Sequence, residues 1–241
     1  MSHTPRKRFG QHFLTDPDVI AAIVRAIGPQ PGDAMVEIDR DVIATLRRRY
    51  DPARLTVHQG DALAFDFGAL ARAAGRELRV VGNLPYNIST PILFHLAGFA
   101  DRIIDGHFML QLEVVERMVA APGGRDYGRL SVMLQYRFAM EHLFDVPPDA
   151  FEPPPRVNSA IVRMVPKAAA ARTAHDEGLL ADVVMQAFGQ RRKVLRNTLK
   201  GRASAQQLEA AGIDPGARAE EVALDSYVAL ANLLDAAAKP A

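Results

Sequence analysis

The chain has 241 residues, 49% of them hydrophobic and 24% charged, with a formal net charge of +1. That is enough apolar material for a sizeable core in one large domain or two smaller ones. It contains no cysteine, which excludes disulfides and thiolate metal sites and suits a reducing compartment. It also holds no run of eighteen apolar residues, and the basic Arg6-Lys7-Arg8 cluster is not followed by the apolar stretch of a secretory signal. The expectation is therefore a cytoplasmic protein without a membrane span.

In chain order, Asp16 before Pro17 opens a helix, and Val19, Ile20, Ile23, Val24 and Ile27 recur at helical spacing up to Gly28. Residues 34–38 form a short apolar strand that holds Glu37. Residues 39–50 read as a helix with Val42, Ile43 and Leu46 on one side, and Arg47-Arg48-Arg49 suits its solvated end. A second strand at 55–58 leads into Gly60-Asp61-Ala62-Leu63. Leu78-Arg79-Val80-Val81 is a buried strand, 90–99 a helix and 107–111 another strand. Residues 130–138 suit helix or strand equally, whereas the five prolines of 145–155 forbid a regular element there. Residues 158–165 alternate as a strand ended by Pro166.

Beyond Asp176 only helical patterns remain. Ser204 and Gln207 form a capping box for a short helix ended by Gly212, and Asp225 or Ser226 caps a last helix. The order of elements predicts an α/β sheet domain over residues 1–168 and a helical domain over 169–241, with the linker between them at 167–174.

The stretch Gly82-Asn83-Leu84-Pro85-Tyr86-Asn87 follows the third strand, at the carboxyl end of a sheet, where open α/β folds keep their ligands. Asn83 offers an acceptor and a donor. Leu84 precedes Pro85, so its backbone is biased to extended conformations that present its carbonyl. Tyr86 offers a flat face. Two acceptors and a ring suit an amino group on a flat heterocycle; the alternative is a turn that merely closes a strand.

Four more segments accompany it: Arg8-Phe9-Gly10-Gln11-His12-Phe13-Leu14, Gly60 to Leu63, Phe151-Glu152-Pro153-Pro154-Pro155-Arg156-Val157-Asn158-Ser159, and Phe188 to Asn197. With the string from Asn83 to Pro91, and in this order, they closely resemble the bacterial dimethyladenosine transferases of small-subunit ribosomal RNA, over about residues 6–232. The resemblance implies a Rossmann-like methyltransferase domain, a small helical C-terminal domain, and transfer of methyl groups from S-adenosylmethionine to N6 of two neighbouring adenosines. It implies that Asn83, Leu84, Pro85 and Tyr86 hold the target adenine and that Phe151 closes its other face. A core aromatic beside prolines is the competing reading of Phe151. For the cofactor it implies Glu37 at the ribose, Asp61 near the adenine, His12 and Leu14 on a covering N-terminal segment, and Asn83 at the methyl group. His12 stands where an asparagine is usual. The partners implied are the small subunit and its RNA, met by a monomer without a metal.

Residues 190–202 hold six basic side chains and no acid. Of these, Arg191, Arg192, Lys193, Arg196 and Lys200 are the candidate RNA contacts, with Arg192, Arg196 and Lys200 expected on one helical face. A solvated helix side is the plainer alternative.

One departure is large. The family carries a glycine-rich loop after its first strand, then a helix, then a second strand ending in the ribose-binding acid. Here Val36-Glu37-Ile38 runs straight into Asp39-Arg40-Asp41 with no Gly-x-Gly nearby, as if two similar strand ends had collapsed into one. Two accounts stand: the protein has lost this span, or a fuller form of it carries the loop. The rival function is a catalytically impaired, RNA-binding ribosome-assembly factor.

Overall fold

The computed structural model describes residues 12–38, 58 and 60–238. The expected helix over 39–50 and the strand over 55–58 fall outside these residues, apart from His58. The chain divides into two compact units: unit 1 is residues 1–115 with 140–166, and unit 2 is residues 116–139 with 167–241. Segment 116–139, which the sequence places with the sheet, thus clusters with the helical tail.

In unit 1, β1 (Phe13–Leu14) leads into α1 (Pro17–Ile27). Asp16 caps the helix, its Oδ1 accepting from the N–H groups of Asp18 (2.8 Å) and Val19 (3.1 Å), and Gly28 ends it at φ 55°. Next come β2 (Ala34–Glu37), α2 (Phe67–Ala74), β3 (Leu78–Asn83), α3 (Ser89–Ala97) and β4 (Ile103–Gln111). The chain continues through α4 (Leu112–Val119), α5 (Arg129–Arg137), β5 (Phe138–Val146), β6 (Phe151–Glu152) and β7 (Ser159–Pro166). The ambiguous 130–138 segment is therefore helix up to Arg137 and strand from Phe138. The proline-rich stretch is less irregular than expected, because Phe151 and Glu152, which are not prolines, pair with Leu14 and Phe13 as a two-stranded ribbon.

The main sheet has the order β2-β3-β4-β7-β5. Strands β2, β3 and β4 run parallel and β7 runs antiparallel to β4. Asn83 pairs with Met109, so the Asn83 motif leaves the sheet at the carboxyl end of its parallel strands. At Gly82 an added Cβ would stand 3.1 Å from a Leu84 methyl, so the exit is closely packed there. The face of β4 that carries Met109 packs with Val146, Phe151, Ile161, Leu14, Val19 and Ile23.

At the opposite end of the strands, Arg79 is 8% exposed. Its guanidinium binds both Asp105 oxygens (2.9 and 2.7 Å), Asp33 (2.8 Å) and the carbonyls of Ile27 (2.6 Å) and Gly28 (3.2 Å). One side chain thus ties the end of α1 to β3, to β4 and to the residue before β2.

Unit 2 adds α6 (Glu177–Ala187), α7 (Leu195–Thr198), α8 (Ala205–Ala210) and α9 (Leu224–Ala238) to α5. Its core gathers Leu180, Val183, Val184, Leu195, Leu208, Leu230 and Tyr227, whose hydroxyl donates to the Ala219 carbonyl at 2.8 Å. The Ser204–Gln207 box closes in both directions (3.2 and 2.9 Å). The last helix starts at Leu224, so Asp225 lies inside its first turn and does not cap it.

Candidate active site at the carboxyl end of the sheet

The Asn83 motif is built from both sides. The Leu84 N–H donates to the Met109 carbonyl (3.2 Å) and the Leu84 side chain is buried, while Asn83 and Pro85 are exposed. A turn from the Pro85 carbonyl to the Ile88 N–H (3.1 Å) and a bond from the Ser89 hydroxyl to the Tyr86 carbonyl (3.2 Å) set the half-buried Tyr86 before α3. The Tyr86 hydroxyl lies 2.7 Å from Ser159 Oγ, which is fully buried at the start of β7. The proline-rich motif therefore orients the ring of the Asn83 motif.

The N-terminal segment closes over this pair. His12 Nδ1 donates to the Pro153 carbonyl at 2.6 Å. Asn83 Nδ2 stands 3.5 Å from the His12 carbonyl, a long contact that directs one of the amide's two N–H groups there and leaves Oδ1 to accept. The His12 and Tyr86 rings are near-parallel, 23° apart, with centroids separated by 6.5 Å. Leu14 is half-buried in β1, opposite Phe151. The Phe151 ring is only 3% exposed and packs with Leu14, Val19, Ile23 and Met109. It therefore occupies the core in this structure and presents no open face. Sequence reasoning quoted the motifs that hold Ser159 and Pro153 but gave those two residues no role. The buried Arg79 was visible only as one cation inside an apolar strand.

Glu37 is exposed at the end of β2, and its register partner is Val81, two residues before Asn83. Neighbouring strands lie about 4.8 Å apart, so Glu37 and Asn83 share one end of the sheet. Asp61 is exposed and forms an Asx-turn, its Oδ1 accepting from the Leu63 N–H at 3.0 Å. Between Asp33 and Gln59 the chain has no glycine, so no Gly-x-Gly backbone approaches a ligand there. By their chemistry the two carboxylates suit the hydroxyls and amino edge of a nucleoside cofactor, and among the described residues no glycine-rich turn follows β2.

The basic segment does not form one helical face. Arg191, Arg192 and Lys193 lie in turns before α7, Arg196 lies within the four residues of α7, and Lys200 lies in the turn after it. The helix is short because the segment is pinned elsewhere: the Leu195 N–H donates to the Ala217 carbonyl (2.8 Å) and the Arg196 N–H to the Pro215 carbonyl (3.1 Å). All five cations are exposed, and Arg191 donates to the Arg125 carbonyl.

An open α/β sheet with an Asn-Leu-Pro-Tyr turn at its carboxyl end and a separate helical unit is the Rossmann-like methyltransferase architecture that the sequence resemblance implies. The family model described as ribosomal RNA adenine dimethylase matches residues 34–236. The chain is 57% identical to the ribosomal RNA small subunit methyltransferase A of Aromatoleum aromaticum, covering 97% of this chain and 96% of that one. It is 54% identical to the protein of the same name from Cupriavidus metallidurans, covering 99% and 96%. This chain belongs to the ribosomal RNA adenine dimethylase family. The fold is shared with a dimethyladenosine transferase from Plasmodium falciparum (TM-score 0.72, 21% identity, 91% of this chain and 96% of that one). It is shared also with the 23S rRNA methyltransferase ErmE (TM-score 0.62, 22% identity, 92% and 99%). The alignment to the Cupriavidus protein runs over 269 positions, 28 more than the 241 residues of this chain. At least that many positions of the relative therefore have no counterpart here.

Proposed function

We propose that this chain transfers methyl groups from S-adenosylmethionine to the exocyclic N6 of two adjacent adenosines of small-subunit ribosomal RNA, two per base, as part of subunit maturation. The observation that carries this reading is the exposed Asn83 amide at the open end of β3, with its donor turned to His12 and Tyr86 oriented by Ser159. An arylamine is a poor nucleophile because its lone pair is delocalised into the ring. Hydrogen bonds donated by that amine to Asn83 Oδ1 and the Leu84 carbonyl favour a more pyramidal nitrogen. Pro85 keeps the Leu84 carbonyl presented, and Tyr86 stacks on the adenine taken out of its own stack. When bound, S-adenosylmethionine supplies a methyl group on positively charged sulfur. The chain then needs no strong base, since the amine proton can leave to solvent afterwards. Glu37 would hold the cofactor's ribose, Asp61 its adenine edge, and the segment of His12 and Leu14 would cover it. Arg191, Arg192, Lys193, Arg196 and Lys200 would meet RNA phosphates. The reading places a monomer on the small subunit in the cytoplasm. Nothing in the comparisons favours an assembly factor without catalysis.

The test is calorimetric titration with S-adenosylmethionine, followed by methyl transfer to undermethylated small subunits. Wild-type protein should bind and transfer. Asn83→Ala should lose at least about 100-fold in kcat, the scale for removing a hydrogen-bonding group from a reacting centre, while keeping subunit affinity. No heat and no transfer by the wild type would overturn the function, and near-normal turnover by Asn83→Ala would overturn the role of that residue.

A further inference from the structure

Helix α1 is held chiefly at its two ends. None of its eleven residues is buried. Val19 and Ile23 pack partly against the cluster of Met109 and Phe151, while Ile20 is 42% and Val24 50% exposed. A helix with so little apolar packing opens locally at low cost unless polar contacts fix it.

Those contacts stand at either end. At its start, the Thr15 N–H (2.8 Å), the Asp16 N–H (3.2 Å) and the Thr15 hydroxyl (3.3 Å) all donate to the Ala150 carbonyl. At its finish, the buried Arg79 guanidinium donates to the carbonyls of Ile27 (2.6 Å) and Gly28 (3.2 Å), groups that a helix end leaves without a partner in its own ladder. Arg79 also binds Asp33 (2.8 Å), which accepts from the Gln30 N–H (2.8 Å) and so holds the turn that follows the helix. The guanidinium itself is fixed by its forked contact with Asp105 on β4. Hydrogen bonds from a charged donor are the stronger kind.

The start of the helix leads straight to the candidate site. Eleven residues at 1.5 Å each make α1 about 16 Å long. Just before it, β1 pairs with β6, and the His12 carbonyl stands 3.5 Å from Asn83 Nδ2. The helix is thus a strut, with one end on Arg79 and the other beside the segment that covers Asn83.

We propose that Arg79 is a positioning residue for cofactor binding: by fixing the C-terminal end of α1 it holds the segment of His12 and Leu14 closed over the site. The proposal rests on the reading of that segment as the cofactor's cover. Arg79 lies at the opposite end of the strands and touches neither cofactor nor substrate, so its effect passes through the helix. When the tie is cut, the closed form is populated for less of the time, and the apparent affinity falls by the same fraction.

Two variants of the full chain separate positioning from plain stability. Arg79→Met removes the donors to Ile27 and Gly28. Asp105→Asn weakens the buried pair yet leaves the guanidinium on those carbonyls, so it should lower the melting temperature without releasing the helix. Both are compared with wild type, at a temperature where all are folded, by hydrogen exchange of the α1 amides and by calorimetric titration with S-adenosylmethionine. In Arg79→Met the α1 amides should exchange at least about tenfold faster, equal to about 1.4 kcal/mol. Its affinity for S-adenosylmethionine should fall by at least about fivefold. Asp105→Asn should leave both quantities near the wild-type values. Arg79→Lys keeps one charged donor and should show smaller losses in the same direction, which carries the test if Arg79→Met does not fold. Unchanged α1 exchange in the Arg79 variants, or equal acceleration in Asp105→Asn, overturns the strut. Faster exchange with unchanged affinity overturns the positioning role. A wild type that gives no heat with S-adenosylmethionine defeats the underlying cofactor reading instead, and the exchange arm tells the two failures apart.

Discussion

Replacing Arg79 by methionine removes five hydrogen bonds at the end of the sheet opposite the candidate site. Two go to Asp105 at 2.9 and 2.7 Å, one to Asp33 at 2.8 Å, and two to the last carbonyls of α1 at 2.6 and 3.2 Å. The Asp105 carboxylate, bound bidentately, and then Asp33 hold the guanidinium well above its ordinary pKa. Asp105 is itself 4% exposed, so the variant strands a buried carboxylate. Removing one partner of a buried pair costs about 3–5 kcal/mol, far more than the pair contributes net over an apolar substitute. In a chain of this size each kcal/mol moves the melting point by about 2–4 °C, so Arg79→Met should melt roughly 10 °C below wild type. Arg79→Lys should fall between the two, because an ammonium cannot make the forked contact with Asp105. Adding Asp105→Leu to Arg79→Met should recover part of the loss by removing the stranded charge. Urea denaturation at pH 7.5 measures the difference. A loss below about 1 kcal/mol in Arg79→Met would refute the reasoning, since it would mean that water or another cation reaches Asp105 at little cost.

His107 provides the acid-side prediction. It is 4% exposed, and its ring nitrogens make no hydrogen bond of good geometry among the described residues, the Ala26 backbone giving only a weak contact. Burial lowers its pKa; Asp105, 3.9 Å away, opposes that shift, and Arg163 and Arg79 add to it. The unfolded chain therefore binds the proton more readily than the folded one. The resulting stability is complete above the unfolded value of about 6.5 and is lost as pH falls below it. Asp33, held down first by the Gln30 N–H and then by Arg79, repeats the sign lower on the scale, below the ordinary carboxylate value of 3.8. Thermal melts from pH 8 to 4 should show the first loss near 6.5, and His107→Leu should remove that step while changing stability at pH 8 by no more than about 1 kcal/mol. In the basic segment, Arg191→Ala, Arg192→Ala and Lys193→Ala together should lower the log–log salt slope of subunit binding by about 2–3, one unit per phosphate lost. An unchanged slope would return these three cations to the solvated surface.

The elements that could be read from sequence are those whose signals are local. Asp16 and Gly28 bracket α1 as expected, and Ser204 with Gln207 caps α8, because a cap is decided by residues within one turn. The segment 130–138 was undecided for the opposite reason. Its helix and the strand that follows are both apolar, and the chain changes state at Phe138 with no glycine or proline to mark it. The basic stretch misled because spacing of four along a sequence implies one face only if the helix continues. Hydrogen bonds from Leu195 and Arg196 to residues 217 and 215 decide otherwise, and no local pattern encodes those. The site divides in the same way. Asn83, Leu84, Pro85 and Tyr86 announce themselves as a motif, whereas Ser159 and the Pro153 carbonyl matter through contacts 73 and 141 residues away in sequence.

Strand order carries the last step. In a doubly wound sheet the first strand, with its glycine turn, lies beside the fourth, and the strand ending in the ribose-binding acid lies one place farther out. Here the strand that ends in Glu37 pairs directly with the strand that ends in Asn83, so Glu37 stands at the inner place, which this pattern gives to the first strand and its glycine turn. A ribose held by Glu37 would sit about one strand spacing, roughly 4.8 Å, nearer the target base than the outer position would allow. Reacting atoms must meet at about 3–3.5 Å, and a misplacement of 1 Å costs about 100-fold. Under the proposed function, Glu37 would hold the ribose from this inner place, nearer Asn83 than the outer place allows. The inner place of β2 and the absence of glycine between Asp33 and Gln59 both bear on how a cofactor would be held. The heat of S-adenosylmethionine binding is the measurement that decides whether the residues present suffice for the transferase reading.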